Sequence, residues 1–156
     1  MTSKPKELKM EKTFIAYTAG FVDGEGCITL TQKSKLSGKN KRYYSICPKV
    51  VITNTNATIL RLMQSTFGGY LAEHVISKTT MAKHYPQFQS KKPIYQLEFT
   101  HQKALQFIRR IYPYLQIKQR QARVLFQYEK TLVRGNNKTR ATHHRQRLQL
   151  KNKIHT

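Results

Sequence analysis

Tryptophan is absent from this chain, acids are scarce, and there are only two cysteines. Cys27 and Cys47 make neither a disulfide framework nor a four-ligand zinc site, and their small number suits a reducing compartment. No run approaches the ~20 consecutive apolar residues that a bilayer-spanning helix needs. The first thirteen residues mix Lys and Glu without an apolar stretch, so no secretion signal is visible. An intracellular setting is expected, with organelle and prokaryotic cytoplasm both open. Seven Asp and Glu face 29 Lys and Arg, a net charge of +22 on 156 residues. Such a charge repels itself, and a polyanion that binds it is favoured by counterion release. A membrane surface would instead favour an amphipathic helix with Trp, Phe or Leu on its apolar side. Here Lys and Arg run through strand-like and helix-like segments alike, so nucleic acid is the expected partner and a membrane is not. Apolar residues make up 38%, enough for one core at this length and for a single domain.

Periodicity along the chain alternates between helix and strand. Glu11 to Val22 reads as a helix punctuated by the glycines of Asp23-Gly24-Glu25-Gly26. Cys27 to Gln32 alternates, with Ile28 and Leu30 on one face and Thr29, Thr31 and then Lys33 on the other. A basic hairpin loop over 33–41, with Gly38 near its tip, leads to a second strand from Tyr43 to Thr53. Pro48 cannot donate to a ladder, which places this strand at an edge or bulges it there. Asn54-Thr55-Asn56 opens a helix from Ala57 to Phe67 with Ile59, Leu62 and Met63 as its apolar stripe. A short strand over 70–76, a basic loop through Lys91 and Lys92, and a strand from Ile94 to Thr100 follow. A helix from Gln102 to Tyr112 is stopped by Pro113. Another, from Gln116 to Leu132, carries Ile117, Val124, Leu125, Tyr128 and Leu132 on one side and ends at Gly135-Asn136-Asn137.

The expected architecture is α+β, a mixed helix–strand–strand–helix–strand–strand–helix core with one antiparallel sheet. Residues 1–10 are expected as a flexible N-terminal arm, 11–134 as the folded domain, and 135–156 as a basic tail, with a short helix over 139–153, that touches phosphate non-specifically. One face of the sheet packs under the helices and the other is free. On that free face the alternation puts Thr29, Thr31, Lys33, Lys35, Ser45, Lys49, Thr53 and His74. A two-stranded ribbon of this kind fits the major groove of B-DNA.

The most informative stretch runs from Ala16 to Gly26. On helical spacing Ala16, Ala19, Gly20 and Asp23 share a face whose small side chains let a partner helix approach closely. At its end Asp23 and Glu25 place two of the seven acids together in a strongly basic protein. A carboxylate beside phosphates is costly unless a cation lies between them, and Mg²⁺ is held by one or two carboxylates with phosphate oxygens and waters.

Thr18-Ala19-Gly20-Phe21-Val22-Asp23-Gly24-Glu25-Gly26 resembles the signature of the LAGLIDADG homing endonucleases, in the single-motif type that works as a homodimer. The first position is Thr where Leu is usual, and the eighth is Glu where the family name has Asp. The likeness extends through Val51-Ile52-Thr53-Asn54 and through 112–122, and leaves the basic tail unmatched. The resemblance implies a saddle-shaped sheet and site-specific cleavage of double-stranded DNA with short 3′ overhangs by an intron-encoded homing enzyme. It implies that Glu25, with the Gly24 carbonyl, binds the catalytic metals: Mg²⁺ or Mn²⁺, with Ca²⁺ as a non-productive substitute. Lys118 matches a basic residue near the scissile phosphate, and Asn54 a polar position that orders solvent. Thr58 falls where some relatives carry Arg. Ala16, Ala19, Gly20 and Asp23 would form the dimer seam, and Arg120 would join the DNA contacts.

One chain offers one well-matched acid, thin ligation for a two-metal clamp on the attacking and leaving oxygens. Pairing two copies about a two-fold axis would bring two Glu25 carboxylates together and would match a near-palindromic target. Two other readings stay open: a maturase that assists splicing of its own intron RNA, and a DNA- or RNA-binding regulator of the same fold without cleavage. An intact Glu25 with Lys118 argues for cleavage over both.

Overall fold

The computed structural model describes residues 4–36, 42–74, 93–132 and 137–154. The tip of the first hairpin with Gly38, the basic loop through Lys91 and Lys92, and Gly135-Asn136 lie outside them. In chain order the elements are α1 (Lys4–Glu25), β1 (Gly26–Leu36), β2 (Arg42–Asn54), α2 (Ala57–Phe67), β3 (Tyr70–His74) and β4 (Ile94–Thr100). After β4 come α3 (His101–Ile111), a 3₁₀ turn (Tyr112–Tyr114), α4 (Gln119–Lys130) and α5 (Asn137–Lys153). This is the expected α+β arrangement. The four strands form one antiparallel sheet in the order β1-β2-β4-β3.

Period-two alternation splits the sheet into two faces. Ile28, Leu30, Ile46, Val50, Ile52, Leu97 and Phe99 point one way and are buried under the helices. The central helix is α3, whose Ala104, Leu105, Phe107, Ile108 and Ile111 are all buried. Phe107 stacks on Phe99 with ring centroids 4.1 Å apart and meets Phe67 edge-on at 5.2 Å. Arg110, on the same helix, lies over the Phe67 ring and donates to Thr66 O and to the Glu11 carboxylate, which ties the outer part of α1 to the core.

Local chemistry sets the junctions. Asn56 caps α2 by accepting from Thr58 N (3.0 Å), and Gly68 closes it by donating to Gln64 O. At Gly26 the chain turns from helix to strand so tightly that a Cβ would sit 2.8 Å from Val22 O. Gly69, at φ +97°, lies so close to Phe99 that a Cβ would meet its ring at 2.9 Å.

Several expectations change. α1 starts at Lys4 and continues to Glu25, so positions 4–10 continue the helix where an arm was expected, and the glycine punctuation acts only at Gly26. Pro48 does not bulge the strand, since the pairing with β1 runs unbroken through Leu30↔Pro48, but it does stand at a local edge of β2, an inner strand elsewhere. Pairing with β4 begins one residue later, at Lys49↔Thr100, so Pro48 sits where that side of β2 has no partner and its missing N–H is not needed. The buried stripe of α2 is Leu60 and Met63, while Leu62 is half-exposed. Ile117 and Leu132 are exposed because α4 is shorter than the apolar pattern implied.

The largest departure is the C-terminal segment. Expected as a basic tail with a short helix over 139–153, it forms the 17-residue α5, packed on α4 and on the β1–β2 hairpin. Ile154 is 1% exposed. Arg147 donates to Thr131 Oγ1 (2.7 Å) and Thr131 O and lies over the Tyr128 ring, and Lys151 donates to Gln32 Oε1 (3.3 Å). The sequence showed no amphipathic stripe here because the helix docks through a few anchors rather than a continuous apolar face.

Ile154→Ala is expected to lower unfolding stability by ~2–5 kcal/mol, read as a drop in the urea midpoint. Tyr128 donates its phenol to Ile46 O at 2.8 Å, and burial pushes its pKa above the ordinary value, opposed by the Arg147 guanidinium. The stability from the neutral phenol is complete below the unfolded value of ~10 and lost as pH rises through the higher folded value. A Tyr128→Phe variant should therefore be less stable by ~1 kcal/mol at neutral pH, with the gap to the wild type closing in strong alkali.

Candidate functional site

The C-terminal turn of α1 leaves backbone carbonyls without helical partners. Two of them are taken by Lys118, whose Nζ donates to Val22 O (2.9 Å) and Asp23 O (2.5 Å). A cation at this end also complements the negative pole of the helix. In return, the Asp23 carboxylate accepts the backbone N–H groups of Gln116 (2.7 Å) and Lys118 (2.9 Å). The clamp joins α1 to the segment between the 3₁₀ turn and α4, residues 95 positions apart in sequence. Asp23 is only 8% exposed. It faces its own chain and is removed from the expected dimer seam.

Glu25, two residues on, is exposed, and among the described residues its carboxylate has no hydrogen bond or ion pair. The local donors are all oxygens: the Glu25 carboxylate and the carbonyls that end α1, with the Gly24 backbone exposed beside them. Hard oxygen donors at the negative end of a helix fit Mg²⁺ and do not fit a thiolate-seeking ion. One copy supplies only part of a coordination shell, because among the described residues no three His, Cys, Asp or Glu gather to hold an ion. Asn54 leaves the sheet at the end where α1 enters it, two residues past the Ile52 that faces Gly26. Its Oδ1 accepts from Asn56 N (2.8 Å), shaping the turn into α2.

The seam expected along α1 divides. Ala19 is fully buried within the chain and Ala16 is half-buried, whereas Gly20 is exposed. Thr18, also buried, satisfies its hydroxyl by donating to Phe14 O (2.8 Å), so this motif position accepts Thr without an unpaired group. The outward face consists of Thr13, Tyr17, Gly20 and Gly24, at spacings of four, three and four. A Cβ at Gly20 or Gly24 would have nothing within 4 Å, so nothing in this chain requires glycine there. The spacing was readable in the sequence, but the face could be chosen only once Ala19, Val22 and Asp23 were seen to point inward.

On the free face of the sheet the register puts Thr29, Thr31, Lys33 and Lys35 of β1 beside Lys49, Cys47, Ser45 and Tyr43 of β2. Thr53 and His74 share the parity of that face, and so do Tyr70, Gln96 and Glu98. Every free-face position expected from alternation thus falls on one side of the sheet by register. Sequence alone had not singled out Glu98 or Gln96, which alternate with half-buried Tyr95 and buried Leu97 and Phe99. Thr31 Oγ1 lies 3.3 Å from Cys47 Sγ. Lys49 Nζ pairs with Glu98 Oε2 at 2.7 Å. Arg120 is exposed in the first turn of α4, next to the Lys118 clamp and away from the sheet face.

No helix among the described residues is long and apolar enough to cross a membrane. No curated protein sequence matches the chain. Among solved structures, the homing endonuclease I-CvuI aligns with a TM-score of 0.69 at 21% identity, over 93% of this chain and 82% of that one. It was crystallised in complex with DNA targets in the presence of Mg and of Ca. The archaeal intron-encoded homing endonuclease I-Vdi141I, complexed with DNA, aligns at 0.63 and 17% identity, over 92% and 83% of the two chains. The homing endonuclease I-TnaI aligns at 0.57 and 15%, over 91% and 88%. At these identities the likeness establishes the fold. The sequence model of the LAGLIDADG endonuclease family matches residues 18–97, just over half of the chain and including the whole of the α1 motif. With that match and this fold, the chain belongs to the LAGLIDADG endonuclease family.

Proposed function

We propose that the chain is an intron-encoded homing endonuclease that cuts both strands of a long, near-palindromic DNA target as a homodimer, leaving short 3′ overhangs. The observation that carries the reading is Glu25: an exposed carboxylate with no partner among the described residues, at the negative end of α1, whose last turn also holds the half-buried Lys118 on its carbonyls. In a chain of charge +22, an acid left unpaired at a surface that meets phosphate is costly unless a cation joins it. Glu25 and the Gly24 carbonyl would hold Mg²⁺, or Mn²⁺ in its place, with Ca²⁺ bound but unproductive. Bound there, the cation would polarise the phosphodiester and stabilise charge on the attacking and leaving oxygens.

The chain's own groups do the rest. Lys118, fixed on the α1 carbonyls, keeps a positive charge beside the reacting phosphate and stabilises the charge that develops on it. Asn54 adds a polar amide at the same end of the sheet to order solvent. The outward stripe of Thr13, Tyr17, Gly20 and Gly24, with Ala16 at its margin, offers a second α1 a close approach. Mid-helix Gly20 costs ~1 kcal/mol relative to Ala, and a partner backbone gives that cost a reason. Two copies would then bring two Glu25 carboxylates together, one cut site for each strand. The free sheet face, with Thr29, Thr31, Lys33, Lys35, Ser45, Lys49, Thr53 and His74, would lie along the major groove of each half-site, and Arg120 would contact the backbone near the cut.

Selection of cleaved duplexes from a randomised library with Mg²⁺ should yield near-palindromic sites, and chelator should abolish cutting. On a selected site, Glu25→Gln is expected to keep DNA affinity roughly unchanged and to slow cleavage by ~100-fold or more. Cutting by this variant at the normal rate would remove Glu25 from the mechanism. Gly20→Leu should leave the monomer folded, since the space there is open and Leu is the better helix former. It should weaken self-association by on the order of 10-fold or more, measured by sedimentation with cleavage followed in parallel.

A further inference from the structure

Of the seven acids in the chain, Glu98 alone lies on the free face of the sheet. Glu73 has the opposite parity, and the other five are on α1 and α4. Glu98 stands near the centre of that face, on β4, opposite Val51 of β2 and Tyr70 of β3. Its Oε2 accepts from Lys49 Nζ at 2.7 Å and from Gln96 Nε2 at 3.4 Å. Among the described residues no donor reaches Oε1, and the Lys49 ammonium uses one of its three hydrogens. Both side chains keep about a quarter of their surface exposed.

A free-face acid among so many cations lowers the attraction for phosphate wherever it faces the DNA backbone, so a role limited to non-specific binding does not explain it. What the pair leaves unsatisfied is one acceptor oxygen on one side and ammonium hydrogens on the other. Across the major groove a C·G pair presents the complement in that order: the cytosine N4 amino donor, then the guanine O6 and N7 acceptors. An A·T pair puts its donor between two acceptors and adds the thymine methyl, so it offers the ammonium one acceptor instead of two and leaves the other acceptor beside the carboxylate. We infer that Glu98 and Lys49 together form a specificity-determining pair that selects a C·G base pair at one position of each DNA half-site. Glu98 accepts from cytosine N4, Lys49 donates to guanine O6 and N7, and Gln96 holds the carboxylate in orientation. The inference rests on the DNA reading proposed above and adds which base pair the centre of the sheet requires.

The test is a binding selection from randomised duplex DNA, run in chelator, with the wild type, Glu98→Gln and Lys49→Gln. The wild type should enrich a motif in which C·G is fixed at one position per half-site. Glu98→Gln should relax that position by about 5- to 150-fold and leave the other positions unchanged, which also shows that the variant is folded. Lys49→Gln should relax the same position. If both variants keep the wild-type motif, if they relax different positions, or if the position they relax is not C·G, the pair does not read DNA in this way. If the wild type binds duplex DNA without enriching any motif, or does not bind it, both this inference and the DNA reading beneath it fail, an outcome distinct from the first three.

Discussion

The reciprocal clamp between the end of α1 and the segment before α4 is the contact on which the rest of the candidate site depends. Asp23 accepts two backbone N–H groups from 116 and 118, and Lys118 returns its ammonium to the carbonyls of residues 22 and 23. Each partner satisfies groups that the other's backbone would leave unpaired. The two backbone N–H groups that meet the Asp23 carboxylate let it be buried. With that end of the helix tied, the next acid in the chain, Glu25, is directed outward, and Gly26 turns directly into β1. One interaction thus positions an exposed carboxylate, a fixed ammonium and the start of the first strand.

The sheet extends from the same corner. Its inner strands, β2 and β4, carry the Lys49–Glu98 pair across the middle of the free face, while β1 and β2 run on beyond β4 as a two-stranded ribbon. Such a ribbon is marginal by itself. Here α5 supports its covered face: Ile154 is buried, Arg147 holds Thr131, and Lys151 reaches Gln32. α5, which carries basic residues and no acid, is therefore part of the folded body as well as a carrier of charge. Arg147 and Lys151 are held in place relative to the sheet instead of trailing from it.

Much of this was legible in the chain itself. Alternation placed all eight free-face positions on one side, because a strand's period of two admits no intermediate orientation. The glycines around Asp23 and Glu25 marked the motif, and the net charge pointed to a polyanionic partner. Helical positions were less legible. Spacing put Ala16, Ala19, Gly20 and Asp23 together, but a helix between a core and a second surface has small residues on both sides, and spacing does not say which side is which. Ala19 packs against its own core, and Gly20 and Gly24 face out. In the same way Leu62 gave way to Leu60, and Ile117 and Leu132 proved to lie beyond the helix that their pattern suggested.

Composition and periodicity, which depend only on which residues stand next to one another, determined the element order, the α+β class, the two faces of the sheet and the acid at Glu25. Contacts between residues far apart in sequence were decided only by the tertiary structure. Those were the pull of Asp23 onto residues 116 and 118, the docking of α5 through scattered anchors, the unpaired side of β2 that accommodates Pro48, and the meeting of Lys49 with Glu98. The reason is geometric. A period records the direction of a side chain relative to its own element, and a long-range pair exists only once two elements have been packed at a particular register.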